Sequence, residues 1–290
     1  MVEGPLTKKL SRGNAVVFLG GGRIAGALVA GLRLAGDERR IVVYDRNPEK
    51  MRALARESRV QVRGRGRVRV RVEVRVEAAR DLKSALDAAE IVIVAVRPGS
   101  VAGMLDEVAA CGATARVGVS LAAGIPLGRL RGRLGARWVR AMPSPVCRVG
   151  RGLTALCFER GFGRSDRTRV RELFARVGAV VEIPERQFDA FTATYSSSHG
   201  YHALATLAKA AQDAGLDRAA ALTAAAHALG DAISYWRDSG LGLAELLHEA
   251  ITPGGIAAAT MSAMDEAGYA RVVAKGLKAG VAQARRNAHR

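Results

Sequence analysis

Residues 20–25 read Gly-Gly-Gly-Arg-Ile-Ala and fit the spacing G-x-G-x-x-A. The chemistry this spacing offers is the holding of a diphosphate. Gly20 permits a tight turn out of a strand, and Gly22 leaves no Cβ between the backbone and the phosphates. Ala25 lets the following helix lie close to a sheet. The start of that helix adds unpaired N–H groups and a partial positive charge. Gly20, Gly21, Gly22, Arg23 and Ile24 are therefore the expected contacts of a dinucleotide cofactor.

Asp45 follows about 20 residues after the motif, where such sites carry an acid for the ribose hydroxyls. A carboxylate there accepts from a 2′-OH and repels a 2′-phosphate, which points to NAD(H). Arg46 comes next and can pair with a 2′-phosphate, which points to NADP(H). Both cofactors stay open at this level. The competing reading of Asp45 is a cap for the helix that starts near Pro48.

The elements that must position these residues are legible on either side. AVVFL (15–19) and IVVYD (41–45) are short apolar runs flanking an amphipathic ALVAGLRLAG. That order makes a βαβ unit. EIVIVAV, RVGVSLAAG, RWVRAM, LTALCF and AVVEIP continue the strands, with DLKSALDAA, VAGMLDEVAACG and VRELFARVG as helices between. Strands that are apolar throughout and alternate with helices predict a parallel sheet covered on both faces. After Pro184 the character changes to long Ala-rich helical stretches without a convincing strand. The expected organisation is a doubly wound α/β domain over 1–184 and an all-helical domain over 185–290.

The bulk numbers set limits. The chain has 290 residues, 49% hydrophobic, with 45 Lys and Arg against 27 Asp and Glu and a net charge of +18. So basic a balance attracts polyanions. Aromatics at 4% leave little for base stacking, so a nucleic-acid partner is not favoured. Cys111, Cys147 and Cys157 have no knuckle or redox spacing, and reduced thiols in a cytoplasmic protein are expected. The N-terminus has no apolar signal region, and charges interrupt every Ala-rich stretch, so no membrane span is expected.

The stretch RGRGRVRVRVEVRV (63–76) sets Arg against Val with period two. That pattern predicts a peripheral strand with one wet face, and a charge run is more often a solvated face than a polyanion site.

Several stretches together resemble the pyrroline-5-carboxylate reductase family over nearly the whole chain. They are VVFLGGGRIAGAL, DRNPEKMRALA, VAVRP, SLAAGIPLGRL, the Met-Pro of RAMPSP, FDAFTATYSSSHGY and ITPGGIAAAT. The resemblance implies a Rossmann domain followed by an all-α dimerisation domain. It implies hydride transfer from NADP(H) or NAD(H) to the C=N carbon of 1-pyrroline-5-carboxylate, giving L-proline, in a homodimer or higher homo-oligomer. It adds Ala95, Arg97, Pro98, Met142 and Pro143 to the expected cofactor contacts. It places the substrate carboxylate at Ser196, Ser197 and Ser198 and at Pro253, Gly254 and Gly255.

The departures fall at the pocket. Ser144-Pro145-Val146 stands where the family has Asn-Thr-Pro. In Tyr195-Ser196-Ser197-Ser198-His199-Gly200-Tyr201 only Ser197 and Tyr201 match, and the family's hydroxyl-bearing Thr falls on Ala257. Either the imine arrives protonated, or Tyr195, Ser197, His199 or Thr252 assists its protonation. His199 and His202 lie one helical turn apart without a third ligand, so no metal is expected. The alternatives are a paralogue reducing a different cyclic imine and a non-catalytic basic nucleotide- or nucleic-acid-binding protein.

Overall fold

The computed structural model describes residues 14–57 and 76–288. Residues 63–75 of the Arg-Val stretch lie outside them.

Among the described residues the chain runs β1 (Ala15–Leu19), α1 (Arg23–Leu34), β2 (Ile41–Tyr44), α2 (Pro48–Glu57), β3 (Val76–Ala78), α3 (Leu82–Asp87) and β4 (Ala89–Val94). It continues with α4 (Val101–Ala110), β5 (Val117–Ser120), α5 (Leu127–Leu130), β6 (Arg137–Met142), β7 (Leu153–Phe158), α6 (Arg164–Ala175) and β8 (Ala179–Glu182). Helices follow: α7 (Glu185–Thr194), α8 (Ser197–Asp213), α9 (Arg218–Ser239), α10 (Leu243–Glu249), α11 (Ile256–Glu266) and α12 (Tyr269–Asn287).

The strands form one sheet in the order β3-β2-β1-β4-β5-β6-β7-β8. All neighbours are parallel except β6 and β7, which run antiparallel through a short connection that the expectation of a parallel sheet did not include. β1 lies between β2 and β4, so the strand order reverses beside it. In open α/β sheets a ligand crevice forms outside the carboxyl ends at that reversal. β3, which shares only Val76 with the Arg-Val stretch, and β8 are the two edge strands among the described residues.

Alternate residues of the strands feed two separate cores. Val17, Leu19, Val92, Val94, Trp138 and Cys157 point to one face, packed with Met104, Leu105 and Phe188. Val16, Phe18, Ile91, Ile93, Val139 and Leu156 point to the other, packed with Leu28, Leu32, Leu173 and Phe174. A strand clothed on both faces has no polar positions to spare, which is why these runs read as continuously apolar.

The chain divides into two compact units. Unit 1 comprises the residues up to Thr192 together with those from Val281 onward, and unit 2 is Ala193–Gly280. The helix after Pro184 thus stays with the sheet: Phe188 of α7 is fully buried in its core. Unit 2 is entirely helical, with α8 packed on α9. Asp217 caps α9 by accepting from the amides of Ala219 and Ala220 at 2.8 and 2.9 Å. No described helix is long and apolar enough to cross a membrane.

Candidate active site

The corner after β1 is shaped by three glycines with different duties. Gly20 has φ of +109°, and a Cβ there would come 2.8 Å from the carbonyl oxygen of Ala95. Only glycine meets both demands. The position is fixed from two sides: the Gly20 amide donates to the carbonyl of Tyr44 at 2.7 Å, and the Ala95 amide to that of Leu19 at 2.8 Å. Gly22 is the N-cap of α1, with extended backbone and no side-chain cap over the first amides. A Cβ on it would meet no heavy atom within 4 Å. The helix start therefore opens outward with free donors, the geometry a diphosphate needs. Behind it Ala25 is fully buried against the sheet, and Ile24 packs at its margin. Arg23 is exposed. These residues fit a dinucleotide cofactor.

Asp45 does not cap α2. Its Oδ2 accepts from the Gly21 amide at 2.8 Å, and its Oδ1 accepts from the Asn47 amide at 2.8 Å. The capping contact on α2 comes from Asn47, whose Oδ1 accepts from the Glu49 amide at 2.9 Å. The Asp45 carboxylate is thereby locked against the glycine turn, with Lys50 Nζ 3.8 Å away. Arg46, the other half of the ambiguous pair, is bound to Glu107 of α4.

The residues assigned to the nicotinamide side sit at the ends of β4 and β6. Ala95 is buried and lines the turn with its carbonyl. Arg97 is exposed and precedes a 3₁₀ turn, Pro98–Ser100, whose Ser100 amide donates to the Arg97 carbonyl at 2.8 Å. Met142 ends β6 and is half-buried, and Pro143 is buried. Ser144 caps the turn that follows, its hydroxyl accepting from the Val146 amide at 3.4 Å. α1 rests on that turn so closely that a Cβ on Gly31 would be 2.1 Å from the carbonyl oxygen of Cys147.

Beneath this end of the sheet lies a cluster that sequence reasoning missed. Arg140 of β6 is 2% exposed. It donates to Asp189 at 3.0 Å and Glu185 at 3.4 Å, both on α7, and stacks 4.3 Å above the Phe188 ring. Glu185 also accepts from the Leu127 amide at 2.6 Å, which ties in α5. Its signal was an Arg inside the otherwise apolar WVRAM. Cys157 opposite Arg140 is pushed up to about 11, chiefly by burial and then by Glu185. Burial does the same to Cys147, also about 11.

The substrate-side candidates all lie in unit 2, on two helix starts. Ser196 is the N-cap of α8, and its hydroxyl lies 2.6 Å from that of Ser198. Ser197 opens the helix and is half-buried. His199 is exposed, its amide bonded to the Ser196 carbonyl at 2.9 Å. At the second start, Thr252-Pro253-Gly254 forms a turn closed by the Gly255 amide donating to the Thr252 carbonyl at 2.9 Å. Gly254 has φ of +75°, and Gly255 caps α11 without a side-chain bond. Ala257 is an exposed methyl in the first turn of α11. Both starts leave amides and hydroxyls for an anion.

Two family models match the chain in succession. Residues 15–124 match the family model for NADP oxidoreductase coenzyme F420-dependent proteins, and residues 185–287 match that for pyrroline-5-carboxylate reductase dimerisation. The chain is 31% identical over 286 residues to the pyrroline-5-carboxylate reductase of Mycobacterium tuberculosis, covering 89% of this chain and 91% of that protein. It is 35% identical over 250 residues to the enzyme of that name from Thermus thermophilus, covering 83% and 85%. Among solved structures, that of 1-pyrroline-5-carboxylate reductase from Streptococcus pyogenes superposes with a TM-score of 0.79 at 22% identity, covering 94% of this chain and 98% of that one. A Plasmodium falciparum pyrroline carboxylate reductase with NADP bound gives 0.76 at 18% identity, covering 95% and 98%. With its diphosphate-shaped turn, its reversed strand order and relatedness along nearly its whole length, the chain belongs to the pyrroline-5-carboxylate reductase family.

Proposed function

We propose that this chain reduces the C=N bond of 1-pyrroline-5-carboxylate to L-proline with NADH or NADPH. The observation that carries the proposal is the open, uncapped start of α1 behind Gly22, in a chain 31% identical to a named reductase over 89% of its length. A reduced nicotinamide nucleotide would supply the hydride. The chain's own part is binding and orientation. Gly20, Gly21, Gly22 and the first amides of α1 hold the diphosphate, and Asp45 faces the adenosine ribose. Ala95, Arg97, Pro98, Met142 and Pro143 line the nicotinamide side. Ser196, Ser197 and Ser198, with the Gly254 amide, offer the substrate carboxylate donors at two helix starts, and Pro253 and Gly255 shape the second.

Protonation of the imine falls to Ser197, His199 or Thr252, since Ala257 brings no hydroxyl. The same methyl favours a second reading, a paralogue that reduces a different cyclic imine. The active form is a homodimer built through unit 2, and the protein works in the cytoplasm. Unit 2 carries unpartnered large apolar groups, among them Val272 at 67% and Tyr235 at 58% exposure, more than a lone monomer ordinarily leaves.

The test is oxidation of NADH and NADPH followed at 340 nm with 1-pyrroline-5-carboxylate and a panel of cyclic imines. Turnover on the first supports the proposal; turnover only on another imine supports the second reading, and binding of nucleotide without turnover on any removes both.

A further inference from the structure

Resting on that reading of the glycine turn as a nucleotide site, we infer that the chain selects NAD(H) over NADP(H), and that Asp45 and the Arg46–Glu107 ion pair are its specificity-determining elements. The sequence alone places an acid and a base side by side and leaves the choice open. The structure separates them. The Asp45 carboxylate is fixed against the cofactor turn by the Gly21 amide at 2.8 Å and held from behind by the Asn47 amide at 2.8 Å. It has only a 13% exposed side chain, so it cannot swing away to admit a second anion. Each oxygen keeps a lone pair for ribose hydroxyls, whereas a 2′-phosphate would bring like charge against a fixed carboxylate.

Arg46 is the group that would answer a 2′-phosphate, and Glu107 competes for it. Its guanidinium is bound to Glu107. Glu107 is the seventh residue of α4, a helix that follows the carboxyl end of β4 and leads back to the start of β5. That places it about 9 Å along the helix from its first residue. Glu107 thus competes with a 2′-phosphate for the Arg46 guanidinium, and since both side chains are partly exposed the competition is modest. Lys50 does not replace it: its ammonium is paired with Asp45 Oδ2 at 3.8 Å. Glu107 carries no motif of its own, and its part in cofactor choice follows only from what it holds.

The experiment is calorimetric titration of the full chain with NADH and with NADPH, without imine, at low and at physiological salt. The wild type is expected to bind NADH at least about tenfold more tightly, a difference of about 1.4 kcal/mol. Glu107→Gln, at a half-buried helix position, should tighten NADPH about twofold to fivefold and leave NADH unchanged. The gain should shrink as salt rises. Asp45→Asn keeps an acceptor for the Gly21 amide and should narrow the preference about tenfold. Equal or tighter NADPH binding by the wild type overturns the inference while leaving the reductase proposal standing, as does Glu107→Gln without effect on NADPH. Failure to bind either nucleotide overturns both.

Discussion

Gly22→Asp separates the cofactor site from the fold. The residue has φ of −77° and ψ of −176°, a backbone that any amino acid adopts, and an added Cβ meets no heavy atom within 4 Å. Nothing has to move. Asp is also a favoured N-cap, and α1 has no side-chain cap of its own, so stability should stay level or rise by a few tenths of a kcal/mol. Binding should respond in the opposite sense. A carboxylate at the cap stands about 6 Å from each diphosphate charge. At an effective dielectric of about 20 that is about 3 kcal/mol per charge. Solvent at this open corner halves each contribution, and about 3 kcal/mol of lost affinity remains, about a hundredfold in Kd. The assay pairs fluorescence titration of NADH with a thermal melt on the same sample. A hundredfold weaker Kd with an unchanged melting temperature is expected. Unchanged affinity would refute the diphosphate assignment, and a melting temperature lowered by more than about 5 °C would refute the claim that the corner is sterically open.

Gly31→Ala should do the reverse. Its methyl would lie 2.1 Å from the Cys147 carbonyl, so α1 must back away from the turn after β6. A cost of about 1–3 kcal/mol, read as a drop of about 5 °C in Tm, is expected. In 5,5′-dithiobis(2-nitrobenzoate) labelling at pH 8, half-buried Cys111 should react well ahead of Cys147 and Cys157. Those two thiols, pushed up to about 11, hold only about 0.1% thiolate there. Three thiols should appear on denaturation, and three fast ones in the native protein would contradict the burial. Glu182 of β8 accepts from Arg167 and Arg171, and the Arg167 contact most of all holds its carboxyl below the ordinary 4.5. The contribution of a lowered carboxylate is present above its unfolded pKa and lost as pH falls through the folded one. The stability gap between wild type and Glu182→Gln should therefore be full at pH 7 and shrink as pH falls below the ordinary 4.5, by urea titration; a gap that does not change with pH would argue against the ion pairs.

What the sequence disclosed follows range of interaction. The glycine turn, its flanking strands and the long helices are written in contiguous residues whose period or spacing carries the signal. The orientation of β7 is not, because LTALCF reads alike in either direction and only its short link to β6 forces the reversal. Asp45 was legible by position but not by partner: whether it capped α2 or faced the turn depended on Gly21, 24 residues earlier. Arg46–Glu107 and Arg140–Asp189 join residues 61 and 49 apart, and one Glu among 27 acidic residues announces nothing. The packing of α7 on the sheet escaped for a similar reason, since Phe188 is the one residue of that amphipathic helix to be buried.

Unit 1 is not finished when its last strand is made. The terminal stretch of α12, from Val281, returns to it: Ala284 is 5% exposed, and its carbonyl lies so near Gly124 that a methyl there would be 2.0 Å away. Asn287 donates to the Ala123 carbonyl at 3.4 Å. During synthesis, then, the sheet unit waits for some ninety intervening residues of unit 2 before it can close. A cut made at the apparent domain boundary would deprive the nucleotide-binding half of a piece of its own packing. Anyone wishing to express that half alone should graft the 281–288 segment back on.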